Sequence, residues 1–462
     1  MRKFARTISG VTPLAVMTAP MACPGQCLYC PTYPDAPQSY TPESPAVLRA
    51  VKCGYDAGEQ VAFRLKIFDG MGHPTEKIEL IIMGGTFLAQ PVDYQYSFIK
   101  ACYDGLNGVA SATLAEAKRL NETARHRCTG LCIETRPDWC GQDEIDRMLE
   151  FGATRVELGV QTLNDDVYQL VRRGHRVADV ARATALLRQH GFKVYYHWMP
   201  GLPGSDPEMD LELSRLLFDD ERFKPDGLKL YPTMVVAGTE LEAWYREGRY
   251  RPYDAETMIN LVIGIKSIVP GYVRIPRVLR DIPSKFIVAG LKESLRDMVK
   301  ERMGREALEC RCIRCREYGH RARAGGEIGE PHLARMDYPA AGGNEIFLSF
   351  EDDRGTLFGL LRLRVQPQTM PAPGRELNGS LALIRELHVF GPEVPLSEQR
   401  DGAAQHKGLG KALLREAERI AASEFQAREM LVLSGVGARE YYRTEGYSSQ
   451  GDYMVKNLRA GT

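Results

Sequence analysis

A chain of 462 residues, 44% hydrophobic and 26% charged, is long enough for about two to four domains and too apolar to be largely disordered. Lys plus Arg and Asp plus Glu each total 60, so net charge singles out no partner and any nucleic-acid footprint must be local. No apolar run reaches the ~18 residues of a membrane span, and the start, Met1-Arg-Lys-Phe-Ala, has no secretory pattern. A cytoplasmic protein with no membrane partner is expected.

In chain order, a first strand over 11–17 precedes the cysteine run 23–30, and a long helix is predicted over 45–68. The next strand, 78–83, ends in Gly84-Gly85-Thr86. Further β-rich runs at 131–135, 155–161, 193–199 and 227–231 alternate with amphipathic helical stretches such as 143–151 and 177–190. Alternation of this kind predicts right-handed βαβ units, a parallel sheet and, with six units, a partial barrel. Chemistry in such folds sits at the C-terminal ends of the strands. Gly84, Gly85, Glu134, Arg136, Glu157, Gln161, His197 and Lys229 all fall there.

Beyond residue 270 the character changes. Residues 271–324 carry 14 Lys/Arg against 7 Asp/Glu. A linker or turn at 340–344 leads into β-rich runs at 345–351, 357–365 and 384–390, a helix from 408 to about 425, a strand at 430–433 and a turn–helix piece near Tyr441. Three parts are expected: a barrel over 1–270, a basic linker segment over 271–340 and an α+β domain over 341–462.

The cysteines number eleven, an odd count in a chain expected to be cytosolic, so clustered cysteines point to metal rather than disulfides. Cys23, Cys27 and Cys30 stand at C-x3-C-x2-C spacing. Three thiolates on a four-iron cluster leave one iron open, whereas a tetrahedral zinc needs a fourth ligand that does not follow at finger spacing. Cys310, Cys312 and Cys315 form a second set with His320 five residues on, a candidate zinc site or a group of reduced thiols. The arginines threaded through it are expected to face outward, where they would suit a phosphate backbone, as would the basic knot Arg172-Arg173-Gly-His175-Arg176. The other five cysteines read as small core residues.

Near the C-terminus, Gln405-His-Lys-Gly408-Leu-Gly410 opens an amphipathic helix. A glycine turn there exposes backbone N–H groups and the positive helix end, which makes a pyrophosphate cradle. With the strand Arg385-Glu-Leu-His-Val389 before it, this pattern resembles the Gcn5-related acetyltransferase fold. That resemblance implies acetyl-CoA, with Glu386, Leu387, His388 and Val389 along the pantetheine, Gln405 and Gly408 in the cradle, and Leu409, Gly410 and Lys411 at the pyrophosphate. Tyr442, beside Tyr441, would lie near the thioester as a catalytic candidate; core packing is the other reading of the pair.

The N-terminal cysteine motif followed by Gly84-Gly85-Thr86 resembles the radical S-adenosylmethionine (SAM) enzymes. The implied cofactors are a 4Fe-4S cluster and SAM, with Gly84, Gly85, Glu134, Arg136, Glu157 and Gln161 as SAM contacts. Both motifs in one chain, with Met83-Gly-Gly-Thr-Phe87, Glu134-Thr-Arg-Pro-Asp138, Leu158-Gly-Val-Gln161, Met199-Pro-Gly-Leu-Pro203 and Ser434-Gly-Val-Gly437, resemble the catalytic subunit of Elongator in compact prokaryotic form. The resemblance implies a partial radical SAM barrel followed by the acetyltransferase-like domain. It also implies tRNA wobble-uridine modification to 5-carboxymethyluridine with acetyl-CoA as carbon source, and an electron donor. Lys77 matches an acetyl-CoA contact on the barrel side, and Lys229 is a catalytic candidate at the mouth. Two features depart from the family: the spacing of the first two cluster cysteines is shorter than in eukaryotic members, and the 310–315 cysteines are not general. The competing readings are a protein lysine acetyltransferase with a structural cluster and a non-catalytic tRNA-binding scaffold.

Overall fold

The computed structural model describes residues 7–292, 294–367, 380–391 and 408–458. Six parallel strands lie side by side in sequence order: β1 (Thr12–Met17), β2 (Lys77–Met83), β3 (Arg127–Thr135), β4 (Arg155–Gln161), β5 (Lys193–Trp198) and β6 (Gly227–Leu230). The sheet is a half-barrel, since β1 and β6 are its two edges. In β2, Ile78, Leu80 and Ile82 are buried while Lys77, Glu79, Ile81 and Met83 alternate with them. The period of two sends one set outward against the helices and the other into the bore.

The helix expected over 45–68 is two helices, Pro45–Lys52 and Ala57–Gly70. Gly54 and Tyr55 between them take positive φ, 57° and 60°. Asp56 then caps the second helix by accepting the Glu59 N–H at 2.7 Å. Beyond β6, residues 274–279 run along its free edge, with Leu228 N–H bonded to the Arg274 carbonyl at 2.8 Å and Leu230 N–H to that of Arg277 at 3.1 Å. A short antiparallel pair follows, β7 (Val235–Val236) and β8 (Ile287–Ala289).

The second sheet comprises β9 (His332–Ala340), β10 (Gly343–Glu351), β11 (Leu357–Gln366), β12 (Leu381–Val389), β13 (Glu429–Val432), β14 (Ser448–Gln450) and β15 (Tyr453–Asn457), in the order β14-β15-β13-β12-β11-β10-β9. The amphipathic helix Leu409–Ser423 packs on it through Leu413, Leu414, Ala417, Ile420 and Ala421. The tight turn of the β9–β10 hairpin falls within 340–344, formed by Ala341 and Gly342 at φ 49° and 75°. The sheet therefore begins at His332, within the segment read from sequence as a linker.

The two sheets are joined by a buried ionic lattice. Arg385 of β12 grips Asp226, just before β6, through two bonds of 2.7 and 2.8 Å, and reaches Glu345 of β10 at 2.6 Å. Arg362 reaches Asp226 at 3.3 Å, Arg364 reaches Glu345 at 3.0 Å, and Arg188 reaches Glu345 at 2.8 Å. Beside this lattice, Gly435 and Gly437 press on the start of β3. A Cβ on Gly435 would lie 2.2 Å from the Thr129 carbonyl oxygen, and one on Gly437 2.4 Å from the Arg127 Cβ. The Ser434–Gly437 string is thus a docking surface between the two halves. Gly435→Ala is expected to lower stability by about 1–3 kcal/mol, read as a drop in Tm, because the obstructing atom is backbone. Among the described residues, no helix is long and apolar enough to cross a membrane.

Candidate active site

The loop after β1 delivers Cys23, Cys27 and Cys30 to the C-terminal mouth of the half-barrel. Gly84 (φ 128°) and Gly85 (φ 75°) turn away from β2 beneath it, and a Cβ on Gly84 would fall 2.0 Å from the Thr18 Oγ1. Cys27 Sγ accepts from Arg173 Nη1 at 3.3 Å, and Cys30 Sγ accepts from Gln38 Nε2 at 3.3 Å. Burial pushes the Cys30 thiol up to about 11. Burial acts the same way on Cys27, but the Arg173 guanidinium outweighs it and holds that thiol below its ordinary value. Among the described residues, Cys310/Cys312/Cys315 and Glu134/Glu157/His197 are the groups whose ligand atoms lie within 4.8 Å of one another; the 23–30 thiols are more widely spread. Sulfurs around one tetrahedral ion sit about 3.8 Å apart at a metal–sulfur bond of ~2.3 Å. The wider spread suits thiolates on separate irons of a cluster.

Among the buried polar atoms near the thiols that lack a partner are one on Arg136 and one on Gln161. Arg136 holds Asp138 through Nε and Nη2 at 2.9 and 2.7 Å, yet its Nη1 has no partner. Gln161 ends β4 at φ 77°, a conformation that costs a non-glycine residue free energy, and its Oε1 is also unpartnered. Unpaired polar atoms at a mouth fit a ligand bearing an amino acid and a ribose, as SAM does. Deeper in, Lys229 Nζ lies 3.2 Å from Glu134 Oε1 and also contacts Glu157, whose other neighbours are His197 Nε2 at 2.8 Å and Arg155 Nη2 at 3.3 Å. Burial opposes the Lys229 charge, but Glu157, Tyr231 and Glu134 more than offset it and hold the ammonium protonated. That ammonium and the Arg155 guanidinium, 3.3 Å from Glu157, together balance the two carboxylates, so the site reads as a proton and positioning cluster rather than a metal site.

The opposite end of the bore faces the second sheet. β12 carries a bulge at Arg385, and its pairing with β13 ends at Ile384–Val432. Strands β12 and β13 splay beyond that point, so Glu386, Leu387, His388 and Val389 keep β11 as neighbour on one edge and line a cavity on the other. Glu386 is held by Arg362 at 2.8 Å and Lys193 at 3.2 Å, and the His388 Nε2 lies 2.7 Å from the Ser9 carbonyl oxygen. Gly408, at φ 76°, and Gly410 line the same space at the start of the helix, as do Lys411, Tyr441 and Tyr442. The Tyr441 hydroxyl is buried and unpartnered, 3.2 Å from where a Gly410 Cβ would stand. Leu409 points elsewhere, packing on Phe358, so its backbone alone is available to a ligand. Gln405 lies outside the described residues.

One continuous cavity of about 1400 Å³ connects the two ends. Cys23, Cys27 and Cys30 border it at the mouth, Lys77 and Glu386–Val389 at the far end, and inward-facing residues of β2, β4 and β5 between them. Seven residues of β2 at ~3.3 Å each put the ends roughly 20 Å apart.

Several residues take roles that sequence reasoning missed. Arg173, read as part of a phosphate-binding knot, is 7% exposed and sits against a cluster cysteine. His197, placed by sequence at a strand end with no role of its own, belongs to the Lys229 group. The arginines of the basic segment do not all face outward: Arg316 is buried on the Gly271 carbonyl and Glu351, and Arg274 pairs with Glu317. His320 does not join the second cysteine set. Its Nε2 faces Glu317 at 3.5 Å, while Lys266 Nζ approaches Cys315 at 3.7 Å.

The Radical SAM superfamily profile matches residues 20–217, and the Radical_SAM C-terminal domain matches residues 225–305. The half-barrel with its cysteine loop is therefore a radical SAM fold. The chain is 64% identical over 458 residues to a protein named tRNA uridine(34) acetyltransferase from Dehalococcoides mccartyi (strain CBDB1), covering 99% of this chain and 100% of that one. It is 41% identical to Elongator complex protein 3 of Homo sapiens, over 98% of this chain and 85% of the human one. The solved structure of the archaeal Methanocaldococcus infernus Elp3, with an N-terminal deletion, superposes with a TM-score of 0.86 at 44% identity, covering 98% and 100% of the two chains. The chain belongs to the family of the tRNA uridine(34) acetyltransferases and Elongator complex protein 3.

Proposed function

We propose that the protein converts the wobble uridine of tRNA toward 5-carboxymethyluridine, taking the two added carbons from acetyl-CoA. Cys23, Cys27 and Cys30 would hold a 4Fe-4S cluster which, with SAM bound, would supply radical chemistry at the mouth. The observation that carries this reading is the single cavity uniting that mouth with the open edge of β12. Two unconnected sites would suit a protein acetyltransferase with a structural cluster; a shared bore suits one reaction that needs both.

Each end has a binding task for this chain's residues. The backbone of 386–389 offers amide donors and acceptors to an extended pantetheine, and the N–H groups of Gly408, Leu409 and Gly410 face a pyrophosphate at a positive helix end. Lys77 contributes a cation from the barrel side, Lys411 one from the helix, and Tyr442 lies at the thioester. At the mouth, Gly84 and Gly85 give close backbone approach to SAM, Arg136 offers its free Nη1 to a carboxylate, and Gln161 offers Oε1 to a donor; Glu134 and Glu157 lie beneath. The Lys229 ammonium, held by Glu157 and Glu134, would donate to the uracil carbonyl and orient it. Zinc on Cys310, Cys312 and Cys315 would be structural, pinning the basic segment against the barrel. Metal analysis of the purified protein is expected to find zinc that is lost in Cys312→Ser. An external electron donor completes the reaction.

Anaerobic reconstituted protein, given SAM, acetyl-labelled acetyl-CoA and tRNA, is expected to place label in uridine, with none in Cys27→Ser. Acetyl-lysine formed without SAM would instead establish the protein acetyltransferase, and tight tRNA binding without turnover the scaffold.

A further inference from the structure

Arg173 occupies a site built for it. The turn after the helix Asp165–Leu170 is closed by Arg173 N–H on the Tyr168 carbonyl at 2.8 Å, with Arg172 and Gly174 at φ 52° and 85° on either side. Leu28 N–H bonds the Val171 carbonyl at 3.2 Å, which ties the cysteine loop to this turn. The guanidinium then runs under β4, where Nη2 donates to the Gly159 carbonyl. A Cβ on Gly159 would stand 2.5 Å from that nitrogen, so the strand leaves the space to the arginine. Nη1 is left to point at Cys27 Sγ, 3.3 Å away.

A buried guanidinium requires an anion or strong acceptors. Here the acceptors are one backbone carbonyl and one sulfur. The other two cysteines are treated differently: Cys30 receives a neutral amide from Gln38, and Cys23 the Gly25 N–H at 3.5 Å. Of the three sulfurs, Cys27 Sγ is the one that accepts a hydrogen bond from a cation among the described residues.

We propose that Arg173 is a positioning residue that sets the reduction potential of the iron–sulfur cluster by donating a charged hydrogen bond to the Cys27 thiolate. The inference rests on the cluster reading above. Adding an electron raises negative charge on the thiolates, and a cation bonded to one of them stabilises the reduced form, so the potential is higher with Arg173 than without it. Loss of its charge should lower the ratio of reduced to oxidised cluster at fixed poise by about tenfold, or about 59 mV for one electron.

The test is an EPR-monitored redox titration of anaerobically reconstituted protein, with iron and sulfide assayed in the same samples. Arg173→Gln keeps a donor without charge and is expected to show a more negative midpoint at full iron content. Arg173→Lys keeps the charge and is expected to lie closer to wild type. A normal wild-type signal with an unmoved Arg173→Gln midpoint would overturn the role of Arg173 alone. Loss of iron in Arg173→Gln would make Arg173 a residue needed to assemble the cluster rather than to set its potential, and would end the proposal. No reducible signal in the wild-type protein would sink the cluster reading itself.

Discussion

Asp226→Ala is expected to lower stability by about 3–5 kcal/mol, measured as a shift in the denaturation midpoint at unchanged slope. Asp226 accepts two bonds from Arg385 and one from the Val194 N–H at 2.9 Å, and sits 3.3 Å from Arg362. Burial alone would favour its neutral acid, but the surrounding guanidiniums of Arg385, Arg188 and Arg362 hold it ionised far below the usual carboxylate range. Removing the carboxylate strands three buried cations with Glu345 and Glu386 as their remaining counter-charges. Asp226→Asn keeps the shape but removes the charge and turns one acceptor into a donor facing donors; most of the loss should persist in it. If the asparagine variant matched wild type, the lattice would be held by hydrogen bonding and not by ionic attraction.

The second large effect concerns the bore. Ala15 lies on the inner face of β1, paired in register with Ile81, midway between the two ends. Ala15→Phe places a ring in the cavity without touching the cysteines, the mouth lysine or the β12 edge. Both end sites should remain functional separately: acetyl-CoA should bind, and SAM should still be cleaved by reduced protein. Transfer of label into uridine should fall by about 100-fold, since small displacements of reacting groups carry penalties of that size. Ala15→Ser, which fills little space, is the control. Unchanged transfer in Ala15→Phe would mean that the acetyl group reaches uridine by a route outside the barrel.

The barrel strands were legible as short β-rich runs with buried apolar residues, set between glycine turns and amphipathic helical stretches. β9 was not: its residues, His332 to Ala340, are mostly exposed, include Pro339 and alternate poorly, and its identity comes from pairing with β10. The break at 53–56 was readable in principle, since Asp56 and Glu59 stand at helix-start spacing. The motif strings located both ends of the site but not its middle. Lys229, Glu157, Glu134 and His197 meet from four different strands or strand ends, with separations of up to 95 residues. Arg173 was misread because its partner, Cys27, is 146 residues away. A charged residue's surroundings, unlike an apolar residue's tendency to be buried, are set by distant chain and leave no local periodicity.

The lattice at Asp226 also constrains how the molecule can be divided. Its cations come mainly from β11 and β12, while Asp226 belongs to the barrel half. A C-terminal fragment produced alone would bring Arg362 and Arg385 to its surface stripped of their principal counter-ion, and a barrel produced alone would bare the matching acid. Chimeras exchanging one half between relatives would therefore require matched residues at this seam, and melting of the intact chain should follow one transition, not two.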